Sequence, residues 1–257
     1  MKKRANIFRY VIFGLFVIVL VYLTFTLESD KGYHIDVIEL EGNLMLSSDQ
    51  YFRFAKLKNK NDEDELTLSL IKDRIEKHPY INKAEVRYDG NNKVLVKIEE
   101  KSIEAIIYDG TEQFLITESF ELLPIVPFTK QIDYPVLTNP MLPRKIVAGN
   151  YLRNYDDVFT GFQIIEALKL AGPGLYDQLS EIDLRNGGDI ILTFSDINFP
   201  VVIGRQNEIE KVIYFNTLWK TTDGQNLNFV LDYVDLRYNG LMYLGFMQNE
   251  SEEENSI

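Results

Sequence analysis

The sequence predicts an α+β protein: one membrane-spanning helix, then a small strand–helix–helix–strand–strand module, then a mostly antiparallel β domain with two covering helices. Three observations carry this prediction. The run Tyr10–Leu27 (YVIFGLFVIVLVYLTFTL) holds no charge and no proline. Many later segments alternate apolar and polar residues with the period of two that a half-buried strand requires. Apolar residues recur at helical spacing near 66–77, 157–170 and 208–220.

The N-terminal run comes first. At ~1.5 Å rise per residue it makes a helix roughly 27 Å long, close to the ~30 Å hydrocarbon core of a bilayer. Lys2, Lys3, Arg4 and Arg9 precede it with no acid among them, and Glu28, Asp30 and Lys31 follow. The positive-inside bias therefore predicts a cytoplasmic tail over 1–9, a span over 10–27 and an extracytoplasmic remainder. A cleaved secretory signal has an apolar core of only ~7–15 residues and small residues at its cleavage site. Here the exit, Thr24-Phe25-Thr26-Leu27-Glu28-Ser29, is bulky, so the expectation is an uncleaved single-pass anchor in the cytoplasmic membrane.

Composition then excludes several chemistries. The chain has no cysteine, hence no disulfide framework, thiolate metal site or acylated lipoprotein N-terminus. The four basic residues before the run leave 23 basic against 39 acidic residues beyond it. Such a surface repels nucleic acid and anionic headgroups, so no nucleic-acid role is expected.

In the first module, His34–Glu41 reads as a strand ended by Gly42-Asn43. Ser47 and Ser48 are N-cap candidates for a helix reaching Lys58, and Asn59–Asp64 is a polar loop. A second helix, Leu66–Lys77, buries Leu66, Leu70, Ile71 and Ile75 on one stripe, and Pro79 ends it. Strands follow over Ile81–Tyr88 and Lys93–Glu99 around a turn at Asp89-Gly90-Asn91-Asn92. Apolar residues resume at Ile103–Tyr108, which closes a module over 33–107.

The second module covers 108–247. Short strands are read at Gln113–Thr117 and Glu121–Val126, then an irregular stretch marked by Pro124, Pro127, Pro135, Pro140 and Pro143. Asp156 is placed as the cap of a helix over Asp157–Leu170 that points Val158, Phe162, Ile165 and Leu168 inward. Strands follow at Glu181–Arg185, Ile190–Phe194 and Pro200–Ile203. A helix over Glu208–Lys220 carries Ile209, Val212, Phe215, Leu218 and Trp219 on one side. The last strands are Leu231–Tyr238 and Leu241–Met247, and an acidic, disordered tail is expected over 248–257. Ile182-Asp183-Leu184-Arg185-Asn186-Gly187-Gly188 echoes Val234-Asp235-Leu236-Arg237-Tyr238-Asn239-Gly240, which reads as two hairpins built alike.

Nothing in the sequence points to catalysis, a metal or a cofactor. His34 and His78 lie on different elements, and His78 reads as a cap complementing a helix dipole. No G-x-S-x-G serine turn or phosphate-binding glycine loop occurs. Asp183 and Asp235, each followed by Leu-Arg, read as partners in cross-strand ion pairs. A non-enzymatic protein is expected.

His78-Pro79-Tyr80-Ile81-Asn82-Lys83-Ala84-Glu85-Val86-Arg87-Tyr88, inside that element order, resembles a membrane-proximal POTRA module. The usual E-R-x-P-x-A continuation reads Glu100-Lys101-Ser102-Ile103-Glu104-Ala105 here, with isoleucine in the proline's place. Tyr233-Val234-Asp235-Leu236-Arg237-Tyr238 is similar to a strand near the end of FtsQ/DivIB-type bacterial cell-division proteins, and Val202-Ile203-Gly204-Arg205 to the segment before that family's last helix. The resemblance implies a scaffold at the division septum. It implies partners of the single-pass FtsB and FtsL type, and a part in localising and regulating septal peptidoglycan synthesis. It places partner contact at Tyr238, Gly245 and Phe246, the last standing where the family often has tryptophan. The competing expectation is a POTRA-bearing subunit of a protein transport or outer-membrane assembly complex.

Elementary physics points to the same strand. Leu241-Met242-Tyr243-Leu244-Gly245-Phe246-Met247 carries no lysine, proline or charge, and an apolar sheet edge invites another strand. Tyr238, Leu241, Tyr243, Gly245 and Phe246 are thus the expected partner-binding residues.

Overall fold

The computed structural model describes residues 12–22, 35–57, 66–130, 132–142, 145–222, 227–238 and 240–247. Residues 12–22 are helical with mostly exposed side chains. The rest of the expected span lies outside the described residues, as do the tails 1–9 and 248–257, His34 and the loop Asn59–Asp64. Among the described residues no helix is long and apolar enough to cross a membrane.

The chain forms two units, one of residues 1–43 and 47–99, the other of 44–46 and 100–257. The first holds β1 (Val37–Glu41), α1 (Ser48–Phe54), α2 (Leu68–Glu76), β2 (Ile81–Gly90) and β3 (Lys93–Glu100). Its sheet runs β1-β3-β2, with β1 parallel to β3. Ser47 starts α1: its backbone N–H donates to Gln50 Oε1 at 2.8 Å, half of a capping box. The helix stops short of the expected Lys58, because Lys56 takes a left-handed φ of 53°. Thr67 caps α2 by accepting the Leu70 N–H at 3.2 Å, and Ile71 and Ile75 are buried beneath it. Asn91 and Asn92, at φ 48° and 58°, turn β2 into β3 as a type I′ hairpin requires.

His78 corrects its sequence reading. It is buried among Tyr51, Phe54 and Tyr80, whose rings meet it edge-on. Burial lowers its pKa from 6.5 to about 4, so at neutral pH it is uncharged. Its Nδ1 accepts the Tyr80 N–H at 3.1 Å. It is a neutral core acceptor, not a cation facing a helix dipole.

The second unit holds β4 (Ile103–Tyr108), β5 (Gln113–Thr117), β6 (Leu122–Pro124), β7 (Val136–Thr138), α3 (Asp156–Ala171), α4 (Pro173–Tyr176), β8 (Leu179–Asp183), β9 (Ile191–Phe194), β10 (Val201–Val202), α5 (Glu208–Thr222), β11 (Leu231–Asp235) and β12 (Tyr243–Phe246). One sheet takes them in the order β12-β11-β10-β9-β8-β7-β4-β5-β6. Thus β4, read from the sequence as the end of the first module, is built into the second unit's sheet. The pairings β4–β7, β7–β8 and β10–β11 are parallel; the rest are antiparallel.

Sequence reasoning missed β7, which lies in the proline-marked stretch. It sits between two parallel neighbours with Leu137 fully buried, and such a strand needs no alternation. The helix α3 starts one residue earlier than expected: Tyr155 is its N-cap, without a side-chain cap bond, and Asp156 lies inside. In α5, Val212 and Phe215 are buried as expected, whereas Ile209 is exposed.

Candidate partner-binding edge

The site is built on a repeated local device. After β8, Asp183 accepts from the Arg185 backbone N–H at 3.1 Å and from its Nε at 3.2 Å. After β11, Asp235 accepts from the Arg237 N–H at 2.9 Å and from its Nη2 at 2.7 Å. Each aspartate therefore clamps the arginine two residues on, where the sequence suggested ion pairs between strands. The clamp turns the chain sharply and lets a hairpin return as β9 or β12. Arg237 also reaches Asp189 at 3.0 Å, crossing above Gly204, where a Cβ would lie 2.8 Å from Arg237 Cγ. Hydrogen bonding to Arg237 holds the Asp235 carboxyl below its ordinary pKa.

The hairpin delivers β12 to the sheet's edge, where it pairs with β11. Leu231 faces Phe246, Tyr233 faces Gly245, Val234 faces Leu244, and Asp235 faces Tyr243, with the irregularity confined to β11 between Leu231 and Tyr233. Met247 N–H donates to Val230 O at 2.9 Å, so the main-chain groups of Met247 point inward. Alternation along an antiparallel strand then turns those of Leu244 and Phe246 outward, away from β11.

Side chains divide by the same alternation. Leu244 and Phe246 lie opposite Val234 and Leu231, both fully buried, and so continue the core face beyond its last covered strand. They remain exposed, Phe246 at 64%. Tyr243 and Gly245 occupy the other face. The missing side chain of Gly245 leaves room for the Tyr233 ring, whose Cε1 would lie 2.2 Å from a Cβ there. Glycine here thus admits an aromatic from the neighbouring strand.

Tyr238 and Leu241 are exposed and lie in the turn before β12, not on strands as the sequence reading had them. The Tyr238 ring meets Tyr243 edge-on with centroids 5.3 Å apart. Beside the turn, Ile213, Tyr214, Thr217, Leu236, Tyr238 and Leu241 line a groove of about 540 Å³. Tyr233 and the α5 residues escaped sequence reasoning, because they join the site only through β12's register and the return of α5 beside the turn.

Residues 34–101 match the POTRA domain of FtsQ type, and residues 105–237 match the C-terminal region of cell division protein FtsQ/DivIB. The latter match ends before β12. The chain is 26% identical over 173 residues to the cell division protein FtsQ of Geotalea daltonii, covering 67% of this chain and 61% of that protein. It is 31% identical over 93 residues to the cell division protein DivIB of Clostridium acetobutylicum, covering 36% and 37% respectively. The aligned stretches thus span only part of these curated relatives. Two matched domains, in this order and over most of the chain, make it a member of the FtsQ/DivIB family of cell division proteins.

Proposed function

We propose that this protein is a non-enzymatic, single-pass scaffold of the bacterial division machinery and that β12 is its docking edge. The observation that carries the reading is an apolar edge strand whose outer rim has no neighbouring strand among the described residues, while Leu244 and Phe246 continue the core face into solvent. Both deficits are met at once by an incoming strand. Its main chain bonds to Leu244 and Phe246, and its alternate apolar side chains extend the core layer. Tyr238 and Tyr243 supply rigid amphipathic anchors of the kind that dominate interfaces.

The partners are single-pass division proteins of the FtsB and FtsL type, held outside the cytoplasm, and the anchor 10–27 keeps the scaffold at the septal membrane. Through them it helps localise and regulate septal peptidoglycan synthesis. Depleting the protein in its native cell tests this role: filaments without septa are expected, and normal septation under full depletion would refute it. Purified chain incubated with cell-wall sacculi should release no sugar or peptide fragments; release would make it a hydrolase.

A further inference from the structure

A second surface of the second unit lies along α3, which packs against α5. The helix α3 is apolar around most of its circumference: Val158, Phe162, Ile164, Ile165 and Leu168 are all buried. Beyond Asp156 in the first turn, what remains exposed is the stripe Phe159, Gln163, Glu166, Leu170, spaced by four, three and four residues and therefore on one face. Leu170 is 86% exposed and Phe159 41% exposed. Beside the stripe is a groove of about 580 Å³ that Phe120 and Ile209 help to line. The Phe120 ring stacks on Phe162 at 4.2 Å and on Phe159 at 6.2 Å. The exposure of Ile209, unexpected from its helical stripe, belongs to this surface.

We propose that this groove is a second docking site, and that its occupant is a cationic amphipathic helix of a partner protein. Charge fixes the sign. Glu104, Glu118 and Glu166 line the groove; Glu104 is buried and ion-paired with Lys169 at 2.7 Å, so the negative rim is that of the exposed Glu118 and Glu166, the latter 3.2 Å from the same lysine. The chain as a whole carries −12. Such a rim repels anionic lipid and a second copy of this chain alike, and favours lysine and arginine. Aromatic faces on the floor add a cation–π attraction.

Geometry fixes the helix. A strand cannot add here, because β4 and β5 each have neighbours on both sides in the sheet and the outer main-chain groups of Leu122 on the edge strand β6 are bonded to Gly149 and Asn150. The stripe from Phe159 to Leu170 runs roughly 16 Å along α3 at ~1.5 Å per residue. That length matches about three turns of a partner helix offering anchors at i, i+4 and i+7.

The test uses the full chain and two synthetic fourteen-residue helices carrying a photoactivatable diazirine, one of leucine and lysine, the other of leucine and glutamate. After irradiation the attachment sites are mapped by mass spectrometry. The leucine–lysine helix should label α3 between Phe159 and Leu170 at least tenfold more than its acidic counterpart. Leu170→Ala should lower that labelling several-fold, and the pair Glu118→Lys and Glu166→Lys should reverse the preference. Phe246→Pro should leave it unchanged, which separates this site from the β12 edge. Equal labelling by both peptides, or no label on α3, would overturn the proposal. So would Leu170-dependent capture of the full chain by phosphatidylglycerol vesicles, which would assign the face to lipid.

Discussion

Phe246 acts through its backbone as much as through its ring, and substitutions separate the two. Phe246→Pro removes an outward N–H that β11 does not use, so the fold should persist. Co-purification of FtsB- and FtsL-type partners from cells should then fall at least tenfold, while Phe246→Ala, which keeps the N–H, should lose less. Equal loss in both would mean that the ring alone is recognised. The sequence reading expected partner contact at Tyr243, Gly245 and Phe246 because the strand is uncharged and aromatic and because the family resemblance points to Gly245 and Phe246. Glycine at 245 makes room for the Tyr233 ring, and that contact depends on a register no sequence pattern encodes. His78 gives a second test. Its pKa is about 4 in the fold against 6.5 as a free side chain, so the unfolded chain takes up the proton first as pH falls. Its contribution is full above pH 6.5 and is lost on the way down to 4, by about 3 kcal/mol at most. Denaturant unfolding of the first unit followed across that range should show the loss, and His78→Asn should flatten it. A ring titrating near 6.5 by NMR would contradict the assignment.

At the scale of elements, local chemistry decided what the sequence could show. The hairpin echo was legible because Asp-Leu-Arg recurs before a glycine, although each aspartate proved to clamp its own arginine within one turn, with Arg237 alone also reaching Asp189. The strand β7 was not, since three residues between parallel neighbours leave no period to read. The tie between α3 and the loop before α5 was equally hidden. Arg205 Nη1 lies 2.8 Å from the buried Asp157 carboxylate, and Arg205 also donates to the carbonyls of Gly188 at 2.7 Å and Leu184 at 2.8 Å. The second oxygen of Asp157 accepts the Met141 N–H at 2.7 Å. Removing one partner leaves a buried charge uncompensated, so Arg205→Ala should cost about 3 kcal/mol in urea unfolding. A loss under 1 kcal/mol would show that the pair is dispensable.

For the whole molecule, element order carried more than any single motif. A strand–helix–helix–strand–strand unit followed by a β unit was readable from periodicity, and the matched families agree with it. The boundary was harder to place, because β4 follows β3 after only Lys101 and Ser102 yet belongs to the second sheet. On the proposed reading, β12 takes a partner strand along its outer rim. Hydrogen exchange resolved to single amides tests it most directly, on the full chain with and without purified FtsB- and FtsL-type partners. The Leu244 and Phe246 amides should exchange freely alone and slow at least a hundredfold in the complex, while Gly245 is protected in both states. Leu244 and Phe246 exchanging equally fast in the complex and alone would contradict it.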